Sequence, residues 1–184
     1  MIRIYTLIFC LLSVTASAQY IDINFDPASW SDYHSFIVVD STYSHNIWQV
    51  GRPNKTIFTL AYTPPNAIIT DTVNHYPAND TSVFILKIPG YLFGPPWSVD
   101  IISFYYQLDI DSGDIARVEI SEDSGHHWFN PLDSLPSIYQ WDTWTADTPV
   151  LTRSTTGWQE FLLYRFAPAP DSILFRFTFI SDSN

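Results

Sequence analysis

The chain has a single cysteine, Cys10, and only eight lysines and arginines against 19 aspartates and glutamates. Because one cysteine cannot form an internal disulfide, the fold must be stabilised by its apolar core or by bound ions. The formal net charge of −11 at pH 7 disfavours binding to nucleic acid and to anionic membranes. We therefore expect no nucleic-acid partner, while the many carboxylates supply the oxygen ligands that Ca²⁺ prefers.

Long hydrophobic runs are also scarce, and the clearest one lies in the first twenty residues, MIRIYTLIFCLLSVTASAQY. Arg3 gives a short positive start, residues 4–14 are mostly apolar but too short to span a bilayer, and residues 16–18 form a small-x-small cleavage site. This order predicts a signal peptide at 1–18, with a buried N-terminal strand as the alternative. No other stretch reaches the roughly 18 apolar residues of a membrane helix. The mature chain should be secreted or displayed at the cell surface.

Residues 19–184 are expected to form one β-sandwich domain, since 166 residues are enough for a substantial core. The interval contains no repeat, low-complexity tail or interdomain linker. Loss of Arg3 with the signal peptide would move the formal charge from −11 to −12. Aromatic residues make up 17% of the chain, and disordered chains lack such residues.

Short apolar runs bounded by Pro, Asp, Asn or Gly recur along this domain, and no convincing amphipathic helix is present. The runs lie at 36–39, 57–62, 83–88, 101–110, 116–120, 161–166 and 173–180. In 173–180 the odd-numbered residues, one Ile and three Phe, are predicted to face the core. In 101–110 the even-numbered residues are the better core candidates. The pattern predicts an all-β fold, an antiparallel two-sheet sandwich.

Residues 121–130, SEDSGHHWFN, contain two adjacent histidines and could form either a metal site or a turn. Ser121, Asp123, Gly125 and Trp128 fit the pattern Ser-x-Asp-x-Gly-x-x-Trp. In such a turn the Ser and Asp side chains bind nearby backbone N–H groups and Gly takes a positive φ, and we expect Trp128 to reach the core. Zinc is disfavoured, because neighbouring strand residues point to opposite faces and no His-x-x-x-His spacing is present. We predict a structural turn.

This turn pattern resembles the Asp box of sialidase blades and of reelin-type jelly-roll repeats, where it is a folding element. A wider series of motifs resembles secreted Bacteroidetes proteins with a MAM-like or immune-inhibitor-A-like jelly roll, over roughly residues 22–184. The motifs are Trp48, Gly51 and Pro53, then 67–70, then Tyr76, Asn79 and Ser82, and finally 174–182. The resemblance implies a jelly-roll sandwich.

In the resembling family a Gly-Trp strand ending in Asp-Asp-Ile follows the last of these motifs, and a type IX secretion sorting domain often comes after it. Neither is present in the sequence. We therefore expect that residues 19–184 lack the final strand of the sandwich and come from a longer exported protein, with a natural terminus as the alternative.

An acidic loop at Asp109, Asp111 and Asp114 could hold Ca²⁺, because three carboxylates and a glycine lie within six residues. The loop lacks the 12-residue EF-hand pattern and its closing Glu. A solvated hairpin turn is the alternative interpretation. The resemblance implies structural calcium in such jelly rolls, held partly by the missing Asp-Asp-Ile segment.

Four aromatic residues crowd the connection 130–158, namely Tyr139, Trp141, Trp144 and Trp158. Exposed rings among them could stack on sugar rings, and we take Tyr139, Trp141 and Trp144 as candidate ligand-binding residues. Alternatively, the rings cap one end of the sandwich, since large aromatic side chains are mostly buried.

No nucleophile elbow, HExxH motif or phosphate-binding loop is present, and a carboxylate pair for glycoside hydrolysis cannot be identified by spacing alone. The main hypothesis is a non-catalytic secreted binding or adhesion module that recognises carbohydrate or a cell-surface protein as an accessory domain of a larger exported protein. The alternatives are a glycan-active hydrolase domain and a structural spacer beside an enzyme, and fold alone does not decide among them.

Overall fold

The computed structural model describes residues 25–26, 36–40, 42–93, 99–131, 139–141, 151–166 and 168–183. Within these ranges the chain forms nine β-strands and one short 3-10 helix, Gly90–Leu92. The strands are β1 (Ile37–Val39), β2 (Trp48–Gly51), β3 (Ala67–Thr70), β4 (Thr81–Pro89), β5 (Val99–Tyr106), β6 (Ile115–Ser121), β7 (Tyr139–Trp141), β8 (Gln159–Phe166) and β9 (Ser172–Ile180). None of the helical structure in this part of the chain is long and apolar enough to cross a membrane.

The strands form three sheets, and every pairing is antiparallel. A four-stranded sheet has the order β1-β4-β9-β6, a three-stranded sheet has the order β5-β8-β7, and β2 pairs with β3 in a two-stranded sheet. The longest pairing joins β4 to β9 over nine residues, from Thr81↔Ile180 to Pro89↔Ser172. The prediction of an antiparallel all-β fold is confirmed.

The core lies between the four-stranded and the three-stranded sheet. The central cluster is Val118, Ile120, Ile173 and Phe175 from the first sheet and Ile102, Phe161 and Leu163 from the second. In β9 the predicted odd-numbered face is buried or half-buried, and Phe175 is 1% exposed. In β5 the even-numbered residues pack against this cluster, whereas Ile101 and Tyr105 are exposed. Two sheets that share one apolar interior are consistent with a β-sandwich.

Residues 57–62 do not form the strand that their apolar composition predicts. The segment turns on itself, since the Lys55 N–H donates to the Phe58 carbonyl oxygen at 3.0 Å. Ala61 is buried, but Ile57 and Leu60 are exposed. Two prolines follow at 64–65 and have no N–H to donate to a sheet, so strand pairing cannot extend there.

The polar connections contain regular structure that their composition does not suggest. Residues 63–82 include β3 and the first residues of β4, and 130–158 include β7. β5 ends at Tyr106 rather than at residue 110. The Leu108 N–H donates to Thr155 Oγ1 and the Ile110 N–H to Ser154 Oγ, both at 3.0 Å. Side-chain hydroxyls thus take the place of a neighbouring strand.

Candidate functional site

The turn after β6 is held by two short side chains. Ser121 Oγ accepts the Gly125 N–H at 2.9 Å and donates to Asp123 Oδ1 at 2.8 Å. Asp123 Oδ1 also accepts the His127 N–H at 2.9 Å. Gly125 has φ 88°, a region that glycine enters without steric cost. These contacts close the turn and return the chain towards Phe129, which pairs with Ile120.

The two histidines of this turn both contact Asp123 through Nδ1. His126 Nδ1 lies 2.5 Å from the Asp123 carbonyl oxygen, and His127 Nδ1 lies 2.5 Å from Asp123 Oδ2. The hydrogen bond from the His127 N–H, then its side chain and Ser121, hold the pKa of Asp123 well below its usual range. The carboxylate therefore supports the turn above the pKa of an unfolded aspartate, and this support is lost as the pH falls through the folded pKa.

Trp128 does not reach the core, so that expectation is wrong. Its ring lies beneath the Arg176 guanidinium, with 4.2 Å from Cζ to the ring centroid, and close to Leu174 and Gly125. Leu174 and Arg176 are on the face of β9 opposite Phe175. Phe129 packs against the core instead, and adjacent residues of an extended chain point to opposite sides.

Alanine at Gly125 or at Asp123 should lower the unfolding midpoint without removing a binding activity. Gly125→Ala should cost about 1 kcal/mol or more, because alanine is strained at positive φ. Asp123→Ala removes the acceptor of the hydrogen bonds from the Ser121 hydroxyl and the His127 N–H, together with the carboxylate contact of His127 Nδ1. Urea unfolding together with zinc titration of both variants checks this. Parent-like midpoints with a loss of zinc affinity would contradict the turn assignment.

The acidic loop before β6 places its three carboxylates in different surroundings. Asp109 and Asp111 are exposed, whereas Asp114 is 2% exposed and its Oδ1 accepts the Asp182 N–H at 2.8 Å. Asp109 Oδ1 accepts the Ser154 hydroxyl at 3.2 Å. Burial, together with the Asp114 carboxylate, raises the pKa of Tyr76 to about 12.

The positions of these three carboxylates decide whether the loop can hold a metal ion. Within the described ranges, no three His, Cys, Asp or Glu side chains are grouped closely enough to hold an ion. Asp109, Asp111 and Asp114 therefore do not form a ready ligand set in this arrangement, and calcium at this loop stays a prediction.

The predicted ligand-binding aromatics fall largely outside the described part of the molecule. The backbone of Tyr139 and Trp141 forms β7, at the edge of the three-stranded sheet beside β8. Their side chains, and Trp144 altogether, lie outside the described residues. Trp158 is described, and it directly precedes β8.

A different aromatic cluster is present on the same sheet, formed by Tyr62, Tyr105 and Trp158. The Tyr62 and Tyr105 rings stack with their centroids 3.7 Å apart and an interplanar angle of 12°. The Tyr62 and Trp158 rings meet in a T-shaped arrangement, with their centroids 5.7 Å apart and an interplanar angle of 68°. Tyr62 is 50% exposed and Tyr105 is 41% exposed. We call these three residues the aromatic cluster.

The carboxylate of Glu160 borders this cluster, since Glu160 is directly opposite Tyr105 in the β5–β8 register. A hydrogen bond with Tyr62 raises the pKa of Tyr105 to about 12, with smaller contributions from burial and from Glu160. The Tyr105 phenol thus offers a neutral hydroxyl group at physiological pH. The cluster combines flat apolar rings with hydrogen-bonding groups.

Comparisons with known proteins do not extend this description. No family model, no curated protein and no solved structure matches the chain. The site must therefore be interpreted from its own geometry.

Sequence reasoning found only Trp158 of the aromatic cluster. The alternation of β5 does place Tyr105 on the non-core face. The sequence therefore indicates that Tyr105 is outside the core, but not which residues contact it. Tyr62 belongs to the run predicted as a strand, and its contact with Tyr105 spans 43 positions of the chain. No local pattern indicates that contact.

Proposed function

We propose that this chain is a non-catalytic exported module that binds a carbohydrate or a cell-surface partner. The observation that supports the proposal is the outer face of the three-stranded sheet. Ile101, Tyr105 and Phe166 are exposed there, and the Tyr62 side chain joins them from the segment after β2. Apolar surface concentrated on one face is typical of an interaction site.

This outer face is separate from the core by strand alternation. On β5 the exposed residues Ile101 and Tyr105 alternate with Ile102 and Phe104, which belong to or pack against the core cluster. On β8 the buried residues Phe161 and Leu163 alternate with less buried neighbours. The apolar residues of the outer face are therefore additional to those that stabilise the fold, and a binding role accounts for them.

The connection of the strands and the export of the chain are part of the same proposal. We propose a jelly-roll connection of the strands, in line with the resemblance to MAM-like modules and the Asp-box-like turn after β6. The signal peptide at residues 1–18 lies outside the described residues, and export rests on its sequence pattern. The candidate residues Tyr139, Trp141 and Trp144 stay a prediction from the sequence, because their side chains lie outside the described residues.

The proposal is tested by exposing the full chain to a panel of polysaccharides, a glycan array and whole cells, while soluble products are assayed. We expect retention on at least one glycan or cell surface and no release of reducing ends. Release of reducing ends would favour the alternative of a glycan-active hydrolase. A stable chain that binds nothing on any of these supports would favour a structural spacer and contradict the proposed function.

A further inference from the structure

The aromatic cluster is assembled from three distant parts of the chain. Tyr105 stands near the end of β5, Trp158 precedes β8, and Tyr62 comes from the irregular segment between β2 and β3. Tyr62 and Trp158 both lie outside the strands, and their rings join the cluster through side-chain contacts. A binding site built this way combines a rigid sheet residue with rings from two connecting segments.

The shape of the cluster leaves ring surface available to a ligand. The stack covers one face of Tyr62 and one face of Tyr105, yet Tyr62 is 50% exposed and Tyr105 is 41% exposed. Both residues therefore keep surface that a ligand can reach. Aromatic faces carry partial negative charge and attract the weakly positive C–H groups of a sugar ring.

The polar groups around these rings suit hydroxyl recognition. Glu160 is exposed opposite Tyr105, and a carboxylate accepts hydrogen bonds from hydroxyl groups. The phenol of Tyr105 remains protonated, since its pKa is about 12. Apolar walls with a few polar groups are typical of small-ligand sites.

Charge decides which class of glycan fits. The chain has 19 acidic residues against eight lysines and arginines, and the charged residue opposite Tyr105 is itself an acid. Sulfated and uronate-rich polymers would therefore be repelled. A neutral polysaccharide carries no charge, so these acidic residues do not repel it.

We infer that Tyr62, Tyr105 and Trp158 form a stacking platform that, with the Glu160 carboxylate, binds a neutral glycan. The inference rests on the proposed function and assigns its ligand class and its site. It differs from the site predicted by sequence at Tyr139, Trp141 and Trp144, since only the aromatic cluster and Glu160 are required.

The experiment measures the affinity of the full chain for neutral glucan, mannan and xylan, and for polygalacturonate as an acidic control, by affinity electrophoresis. We expect retention on a neutral polymer only. Tyr105→Ala and Trp158→Ala should each weaken this binding about tenfold or more, because each removes a stacking ring. Tyr105→Phe and Trp158→Phe keep an aromatic ring and should retain most of the affinity.

The matched control is Tyr91→Ala, which removes an aromatic ring that is 77% exposed in the 3-10 helix Gly90–Leu92, away from the outer face of the three-stranded sheet. It should bind like the parent, and urea unfolding of every variant separates loss of the site from loss of the fold. If the alanine variants do not fold, Glu160→Gln and the two phenylalanine variants carry the test, and we expect Glu160→Gln to weaken binding severalfold.

Three results would overturn the inference. The first is a neutral glycan bound equally well by the parent and by folded cluster variants, and the second is a preference for polygalacturonate. The third is binding to cells that survives removal of their glycans, which would indicate a protein partner. In all three the proposed binding function stands, whereas absence of any binding by the parent would contradict that function itself.

Discussion

Replacing Arg165 with alanine is expected to destabilise the fold by about 3–5 kcal/mol. Arg165 is in β8 and is 1% exposed, so its charge is removed from water. Its Nη1 donates to Asp100 Oδ2 at 3.1 Å and its Nε donates to Glu122 Oε1 at 2.6 Å. Its Nη2 also donates to the Pro168 carbonyl oxygen at 2.6 Å. Each of the three guanidinium nitrogens thus donates to an acceptor.

The position of this network in the fold explains the size of the effect. Asp100 is the register partner of Arg165 on β5, whereas Glu122 follows β6 of the four-stranded sheet. Arg165 therefore connects the two sheets across their interface. Without it, Asp100, which is 8% exposed, would be a buried carboxylate that has lost its cation. Leaving a buried charge uncompensated costs more than the ion pair contributes when intact.

Arg176→Ala is the matched control. Arg176 pairs with Glu119 at 2.8–2.9 Å and lies over Trp128, but its side chain is 30% exposed. Its loss should cost only about 1 kcal/mol, because water screens such a pair. A triple variant, Arg165→Met with Asp100→Leu and Glu122→Gln, removes the charges together and should recover most of the lost stability. Urea unfolding gives all three values, and equal costs at Arg165 and Arg176 would contradict the argument.

The sequence could predict which residues of an alternating strand face the core. It could not predict which distant residues these side chains contact. In 161–166 the residues Phe161, Leu163 and Arg165 alternate in one phase, so an arginine in the core phase is visible in the sequence. The partners of Arg165 lie 65 and 43 positions away. No local pattern connects them, and the burial of Arg165 is explained only once both sheets are assembled.

Apolar composition alone was a poor guide where the alternation was weak. Residues 57–62 have strand composition, yet they contain a local turn, Ile57 and Leu60 are exposed, and none of the described strands pairs with them. By contrast, β9 alternates strictly and its core face was predicted correctly. β7 is only three residues long, so its sequence could not distinguish it from the surrounding connection.

In the candidate site, too, the strand alternation could be predicted from the sequence, whereas the contacts between distant residues could not. The β5 alternation predicted that Tyr105 points away from the core, and its exposure confirms that phase. The contact between Tyr105 and Tyr62 is a tertiary feature, and it alone makes the three aromatic residues a cluster. Similarly, the sequence placed Trp128 in the core because it did not show that Phe129 holds the core position.

Gly90→Ala is expected to destabilise the protein by about 3 kcal/mol or more, because the added methyl group would overlap the backbone. Gly90 opens the 3-10 helix after β4, and its N–H donates to the Asp171 carbonyl oxygen at 2.7 Å. A Cβ at this position would lie 1.8 Å from the Pro170 carbonyl oxygen and 2.8 Å from that of Asp171. Backbone atoms cannot rotate away as a flexible side chain can.

The segment that would have to move is part of the core scaffold. Residues 170–171 lead into Ser172, which begins β9 and pairs with Pro89. Displacing this segment would pull on the start of β9, where Ile173 is fully buried. The expected consequence is a loss of pairing at this end of β4 and β9. Hydrogen exchange should therefore accelerate at residues 86–88 and 172–175 more than in β6 of the same variant.

Gly157→Ala is the matched control for this prediction. Gly157 has φ 79°, but nothing lies within 4 Å of the position that its Cβ would take. The substitution should therefore cost only about 1 kcal/mol of backbone strain. Urea unfolding of both variants measures the difference, which isolates steric overlap from conformational strain. A Gly90→Ala protein that is as stable as Gly157→Ala, with unchanged exchange in β4 and β9, would mean that the 168–171 segment adjusts freely and does not hold these strands together.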